Sequence, residues 1–189
     1  MLSRLCKLDA CVPVFISPQI HQLSTLFSHA KNRFLARIFL PIPRLGIPLL
    51  KMTDGPAGVR SAPASSFPSG LAASFDPKIV PAVGRAIAEE TKAKRKNVLL
   101  APCVNLVPCV NIERVPLWGR DFGCFGEVPF LAAQMSVAYI KGVQSENVGA
   151  TVKHFAANNQ EENRHTINVR IDERALREIY LPAFKNSLL

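Results

Sequence analysis

The chain has 189 residues, 48% of them hydrophobic and 20% charged, with a net charge of +9. That length can bury a core of its own, and the apolar fraction excludes the composition of a disordered chain. No run of about 18 uncharged apolar residues occurs, so no membrane-spanning helix is expected.

The five cysteines are too few for a disulfide-built scaffold, and their number is odd. They read as reduced thiols of a cytosol-like compartment, which favours a cytoplasmic over a secreted protein. The positive excess is concentrated in residues 1–60, which hold eight basic side chains and only two acidic ones, Asp9 and Asp54. Basic chains can bind nucleic acid or anionic membranes. Here the basic residues are scattered among prolines and aliphatics. The one dense run, Lys92 to Lys96, falls where a helix should end, and cations there complement the helix dipole. Neither nucleic acid nor a membrane is expected as a partner.

Residues 1–40 read as an irregular, poorly ordered leader. The stretch Cys11-Val-Pro-Val-Phe-Ile16 is too short and too Pro-broken for a secretory apolar region. The segment is acid-poor, as transit peptides are, but the plainer reading gives it no targeting role. From there residues 41–189 read as one domain.

Gly46 to Asp54 is a short buried strand ending in a polar residue, followed by the loop Gly55-Pro-Ala-Gly58. Asp76-Pro77 starts a helix, with an acceptor at the N-cap and proline at the first helical position. Ile79, Val83 and Ile87 then follow at helical spacing. Pro81 would fall unfavourably inside that helix. The helix should end near Lys96, with Asn97 in the left-handed C-cap. Asn97 to Asn105 is a second apolar strand. Pro129 opens a second helix that ends near Asn147-Val-Gly149. Ala150 to Ala156 is a third strand. Asp172 caps a last helix that turns Leu176, Ile179 and Tyr180 inward and is kinked by Pro182.

Alternating near-continuously apolar strands with helices gives an α/β fold with a parallel sheet. Doubly wound sheets and β/α barrels both fit. No G-x-G-x-x-G or Walker-type loop is present, which weakens nucleotide-binding versions. Pro102-Cys-Val-Asn105 recurs as Pro108-Cys-Val-Asn111, a local duplication that lengthens the loop after the second strand.

In such folds ligands bind at the C-terminal ends of the strands. The first strand delivers Asp54 there. The second delivers Asn105 and, further along its loop, Arg114, Trp118, Arg120 and Asp121. The third strand delivers Lys153 and His154, followed by Asn158, Asn159, Gln160 and Glu161. Mixed donors and acceptors of this kind suit a polyhydroxylated ligand, because each sugar hydroxyl both donates and accepts. Each group also has a plainer reading. Asp54 could cap its turn, Arg120 could be a solvated loop residue, and a lone histidine is more often structural. Adjacent strand residues face opposite ways, so one of Lys153 and His154 should point to the interior and the other to neighbouring helices or loop. Cys103, Cys109 and Cys124 lack the paired spacing of zinc ligands and read as buried or loop thiols. No metal or other cofactor is expected. Ser65, Ser66 and Ser69 lack a nucleophile elbow, so serine hydrolase chemistry is not indicated.

Several motifs occur together and in order: Lys51-Met-Thr-Asp-Gly-Pro-Ala-Gly-Val-Arg60, Asn97-Val-Leu-Leu-Ala-Pro102, Arg114-Val-Pro-Leu-Trp-Gly-Arg120, Ala150-Thr-Val-Lys-His-Phe-Ala-Ala-Asn-Asn-Gln-Glu161 and Arg174-Ala-Leu-Arg-Glu-Ile-Tyr-Leu-Pro-Ala-Phe184. Over about residues 40–187 the chain resembles glycoside hydrolase family 3. Ala156-Ala-Asn-Asn-Gln160 after Lys-His-Phe is similar to its β-glucosidase and β-xylosidase branch. The resemblance implies a partial (β/α)8 barrel, about the first three to four β/α units. It also implies retaining hydrolysis of terminal β-D-glucosyl residues, on a β-glucoside or short β-linked oligosaccharide. By the same resemblance Asp54, Arg120, Lys153 and His154 match positions that hold sugar hydroxyls, and Arg60 matches a recurring arginine near them.

That family needs a nucleophilic Asp and a Glu acid/base about 5–5.5 Å apart. None of Asp9, Asp54, Asp76, Asp121 and Asp172 has the nucleophile's Ser-Asp-Trp-like context. Gly123 and Val128 also depart from the family pattern. The resemblance therefore implies that these residues carry no catalytic nucleophile or acid/base, and that part of a barrel would expose edges open to self-association. A catalytically inactive sugar-binding remnant is the alternative reading, and a basic nucleic-acid-interacting protein a more distant one.

Overall fold

The computed structural model describes residues 10–14, 38–60, 70–103, 123–157, 162–163 and 166–188. Five strands form one sheet: β1 (Ala10–Val14), β2 (Ile38–Phe39), β3 (Leu50–Asp54), β4 (Val98–Leu100) and β5 (Gly149–Phe155), in the order β1-β5-β4-β3-β2. β3, β4 and β5 run parallel, while β2 and β1 pair antiparallel on the outer edges. The parallel strands are joined by helices α1 (Val80–Ala93) and α2 (Pro129–Gln144). The β3–α1–β4–α2–β5 order is the strand–helix alternation expected from the apolar runs, and it gives the α/β fold of a partial barrel.

Strand parity sorts the side chains into two layers. Leu99 and Ala101 around β4 join Ala150 and Val152 of β5 in the main core, packed on Val80, Ile87, Met135 and Val143 of the helices. In the register, Thr53 lies beside Leu99 and Asp54 beside Leu100, while Leu99 lies beside Ala150. Asp54, Leu100 and Thr151 therefore share one row, on the face away from the helices. Lys153, two residues past Thr151, returns to that face. This parity places the carboxylate and the ammonium on one side of the sheet before any side-chain contact is considered.

The local outcomes differ from the sequence expectation in three places. α1 begins at Val80, with Asp76 Oδ1 instead accepting from the Lys78 N–H at 2.9 Å in the preceding turn. Pro81 consequently sits in the first helical turn, where its missing N–H costs nothing. Asn97 does not cap α1; Arg95 takes the positive φ of +54° instead. The Asn97 side chain spans strands, accepting from the Lys51 N–H at 2.6 Å and donating to the Leu49 carbonyl at 2.9 Å. Its backbone carbonyl accepts from Gly149 N–H at 2.9 Å, so one residue joins three strands at their entry. Asn97→Ala removes both amide bonds and is expected to lower stability by about 2 kcal/mol, read as a shifted urea midpoint with an unchanged slope.

The last helix is split. Asp172 caps it as expected, its Oδ1 accepting from Ala175 N–H at 2.9 Å. After α3 (Glu173–Ala175), a π turn occupies Leu176–Tyr180, and α4 (Pro182–Leu188) follows. Leu181 N–H reaches the Leu176 carbonyl, five residues back, at 2.9 Å. The widened turn accommodates Pro182, which has no N–H to continue the ladder and whose ring would strike the preceding turn. Tyr180, Ala183 and Phe184 still reach the core, and Phe184 meets Phe155 edge to face at 5.1 Å. No helix among the described residues is long and apolar enough to cross a membrane.

Candidate functional site

The site forms where β3 and β5 end. β3 finishes on Asp54, and the chain folds back at once. Arg60 N–H donates to the Asp54 carbonyl at 2.8 Å, closing residues 55–59 into a tight loop. Gly55 is required in that loop: its φ is +156°, and a Cβ there would lie 2.2 Å from the Gly58 carbonyl oxygen. Gly55 N–H also donates to the Asp54 carboxylate, Oδ1, at 3.1 Å, which fixes the carboxylate at the sheet's rim.

Lys153 reaches this carboxylate from β5. Its Nζ donates to Asp54 Oδ1 in an ion pair linking residues 99 positions apart in the chain. The Lys153 side chain is 6% exposed and that of Asp54 25%, so the ammonium is enclosed while the carboxylate keeps an open side. Burial pushes the Asp54 carboxyl upward. The charge and hydrogen bond of Lys153, with the charges of Arg60 and His154, outweigh it and hold the group below the usual carboxylate range. Asp54 is thus kept ionised, an acceptor with one side open to solvent.

His154 is buried beside the pair, and its Nδ1 lies 4.0 Å from the sulfur of Cys103. The charges of both Lys153 and His154 bear on Asp54. Arg60 contributes charge from an exposed position. Arg120 lies outside the described residues, as do Arg114, Trp118, Asp121 and residues 158–161. Four of the five groups singled out by the sequence, Asp54, Arg60, Lys153 and His154, are therefore placed at one rim. Its sequence spacing marks Cys103 only as a buried or loop thiol. The ladder beyond β4 brings it there: Cys103 bridges in parallel to Lys153, and Lys153 N–H donates to the Pro102 carbonyl at 3.2 Å. Among the described residues no three His, Cys, Asp or Glu side chains gather as a metal ion would need.

This arrangement suits a neutral ligand rich in hydroxyls. A carboxylate accepts from two neighbouring hydroxyls, while ammonium and imidazole donate to the same oxygens, and no net charge is demanded of the ligand.

The chain is similar to proteins named as glycosidases. A family model for the glycosyl hydrolase family 3 N-terminal domain matches residues 28–188. The thermostable beta-glucosidase B of Acetivibrio thermocellus is 47% identical over 163 residues, covering 78% of this chain and 21% of that protein. An exo-alpha-(1->6)-L-arabinopyranosidase of Bifidobacterium longum is 43% identical over 157 residues, covering 75% and 20%. The crystal structure of a beta-glucosidase from Kluyveromyces marxianus in complex with glucose superposes with a TM-score of 0.73 at 40% identity, covering 80% of this chain and 18% of that one. The chain thus spans about a fifth of the length of these relatives.

Proposed function

This chain belongs to glycosyl hydrolase family 3, and from that premise we propose that its rim holds the terminal glucosyl unit of a β-glucoside or short β-linked oligosaccharide, as the binding part of a β-glucosidase-like enzyme. The observation that carries the reading is the Lys153–Asp54 ion pair at the C-terminal ends of parallel strands, with an ionised carboxylate open on one side. Asp54, Lys153 and His154 grip the sugar hydroxyls directly. Arg60 supports the carboxylate's charge, and Arg120 is proposed with them on its match to the family's motif. The likeness to relatives that act on glucosides and on an arabinopyranoside supports a pyranose as the ligand class. No aspartate of the chain stands in the sequence context of the family's nucleophile, and on that ground the chain by itself is expected to bind rather than cleave.

Glucose tests this. Added at ten times its Kd, it stabilises the folded chain by about 1.4 kcal/mol, a rise of a few degrees in the unfolding midpoint. In Asp54→Asn the rise disappears, and sorbitol at equal concentration produces none in either protein. The purified chain releases no p-nitrophenol from its aryl β-glucoside. Equal shifts in native protein and Asp54→Asn would make the ion pair a purely structural feature, and measurable hydrolysis would place a catalytic pair within this chain.

A further inference from the structure

Cys103 and Cys124 form a small buried cluster of their own, apart from the main core, and neither is in a disulfide. Each is 6% exposed. Cys103 lies at the end of the β4 ladder beside Lys153, and Cys124 lies in the segment leading into α2. His154 Nδ1 lies 4.0 Å from Cys103 Sγ, within hydrogen-bonding reach of a thiol. Two packed thiols with an imidazole beside one of them make up the parts of a peroxide-reactive pair: a base, a thiol it can deprotonate, and a second thiol to resolve the product.

We propose that Cys103 and Cys124 form a redox pair that hydrogen peroxide closes into a disulfide. His154 takes the proton from the Cys103 thiol. The thiolate sulfur attacks one peroxide oxygen, the O–O bond breaks, and the departing hydroxide takes up the proton as water, leaving a sulfenic acid. The Cys124 sulfur then attacks the Cys103 sulfur, the S–O bond breaks, and a second water leaves. Two thiols are oxidised by two electrons, and one peroxide is reduced to two waters. The disulfide closes residues 104–123 into a covalent ring, and Arg120 is a member of that ring. It also takes the Cys103 sulfur out of its thiol contact with His154. Oxidation therefore acts on the same rim that carries Asp54 and Lys153, although the chemistry itself is independent of any sugar.

The full chain is reduced, treated with equimolar hydrogen peroxide, alkylated and digested with trypsin for mass spectrometry. The expected product joins peptide 97–114 to peptide 121–141 with the loss of two hydrogens. Peptide 97–114 carries Cys109 as well as Cys103, so the experiment is run also in Cys109→Ser, where the link persists, and in Cys103→Ser, where it is lost. His154→Gln slows its formation several-fold without changing which peptides are joined. Linkage through Cys6, Cys11 or Cys109, oxidation only to sulfinic or sulfonic acid, or loss of the link in Cys109→Ser would overturn the pairing. An unchanged rate in His154→Gln would overturn the role given to the imidazole.

Discussion

Lys153→Met is expected to destabilise the fold by about 3 kcal/mol at pH 7, among the largest effects of any single change at the rim. The Lys153 side chain is almost wholly enclosed, and its partner Asp54 is mostly so. Methionine matches the volume of the lysine stem but leaves a buried carboxylate without its ammonium. The pH dependence separates this cause from lost packing. In the native protein Asp54 is held below the usual carboxylate range, so its contribution is present above about pH 4, the unfolded value, and is lost as pH falls through the folded one. In Lys153→Met burial dominates and pushes the carboxyl up, leaving only Arg60 and His154 to oppose it. The folded carboxyl then binds a proton more readily than the unfolded one, and stability falls as pH rises. The gap between the two proteins, measured from urea midpoints, therefore narrows from pH 7 to pH 4. Adding Asp54→Asn to Lys153→Met recovers part of the loss at pH 7, because an amide needs no counter-charge. A gap that stays constant with pH would assign the effect to packing alone.

The sequence disclosed the parts of this fold whose physics is local or repetitive. Residues 47–50 and 98–101 are continuously apolar, and residues 148–152 are so but for Thr151, as strands covered by helices require, and that signal needs no knowledge of partners. Asp54 and Lys153 stood out because each follows such a run with charge at its C-terminal end. The edge strands were not legible. β2 is two residues long, and β1 contains Pro13, which an edge tolerates and a central strand does not. Asn97 misled for a related reason. Its tolerance of the left-handed region is a local property, while its bonds to Leu49 and Lys51 depend on strands nearly fifty residues away. The same holds for Cys103 and His154: nothing in their spacing of 51 residues marks them as neighbours. The parallel bridge between Cys103 and Lys153 makes them so.

The helix layer holds the strands at this register, and its tightest point yields the second large effect. Gly142 of α2 lies directly against the backbone of α1. A Cβ built on Gly142 would stand 2.4 Å from the Pro81 carbonyl oxygen and 2.8 Å from its Cα. Both are main-chain atoms, so no side-chain rotation relieves the clash. Gly142→Ala must push α1 away from α2 as a body. The displaced surface includes Val80, Ile87 and Val143, which are fully buried. Helix propensity alone would make this substitution favourable by about 1 kcal/mol, since alanine is the better helix former. Overpacking opposes it at about 1–3 kcal/mol for an added methyl in a fitted core, and more where the obstacle is backbone. The net expectation is a loss of about 2–3 kcal/mol, or roughly 4–12 °C in the unfolding midpoint. Gly142→Ala stands as the inverse of the usual helix rule, and circular dichroism distinguishes the two forces. A midpoint that rises would show that α1 and α2 are not in contact at Pro81. Because α1 and α2 are the crossovers that place β3, β4 and β5 side by side, the same substitution weakens any sugar binding at the rim without touching a residue there, whereas Lys153→Met weakens it from within.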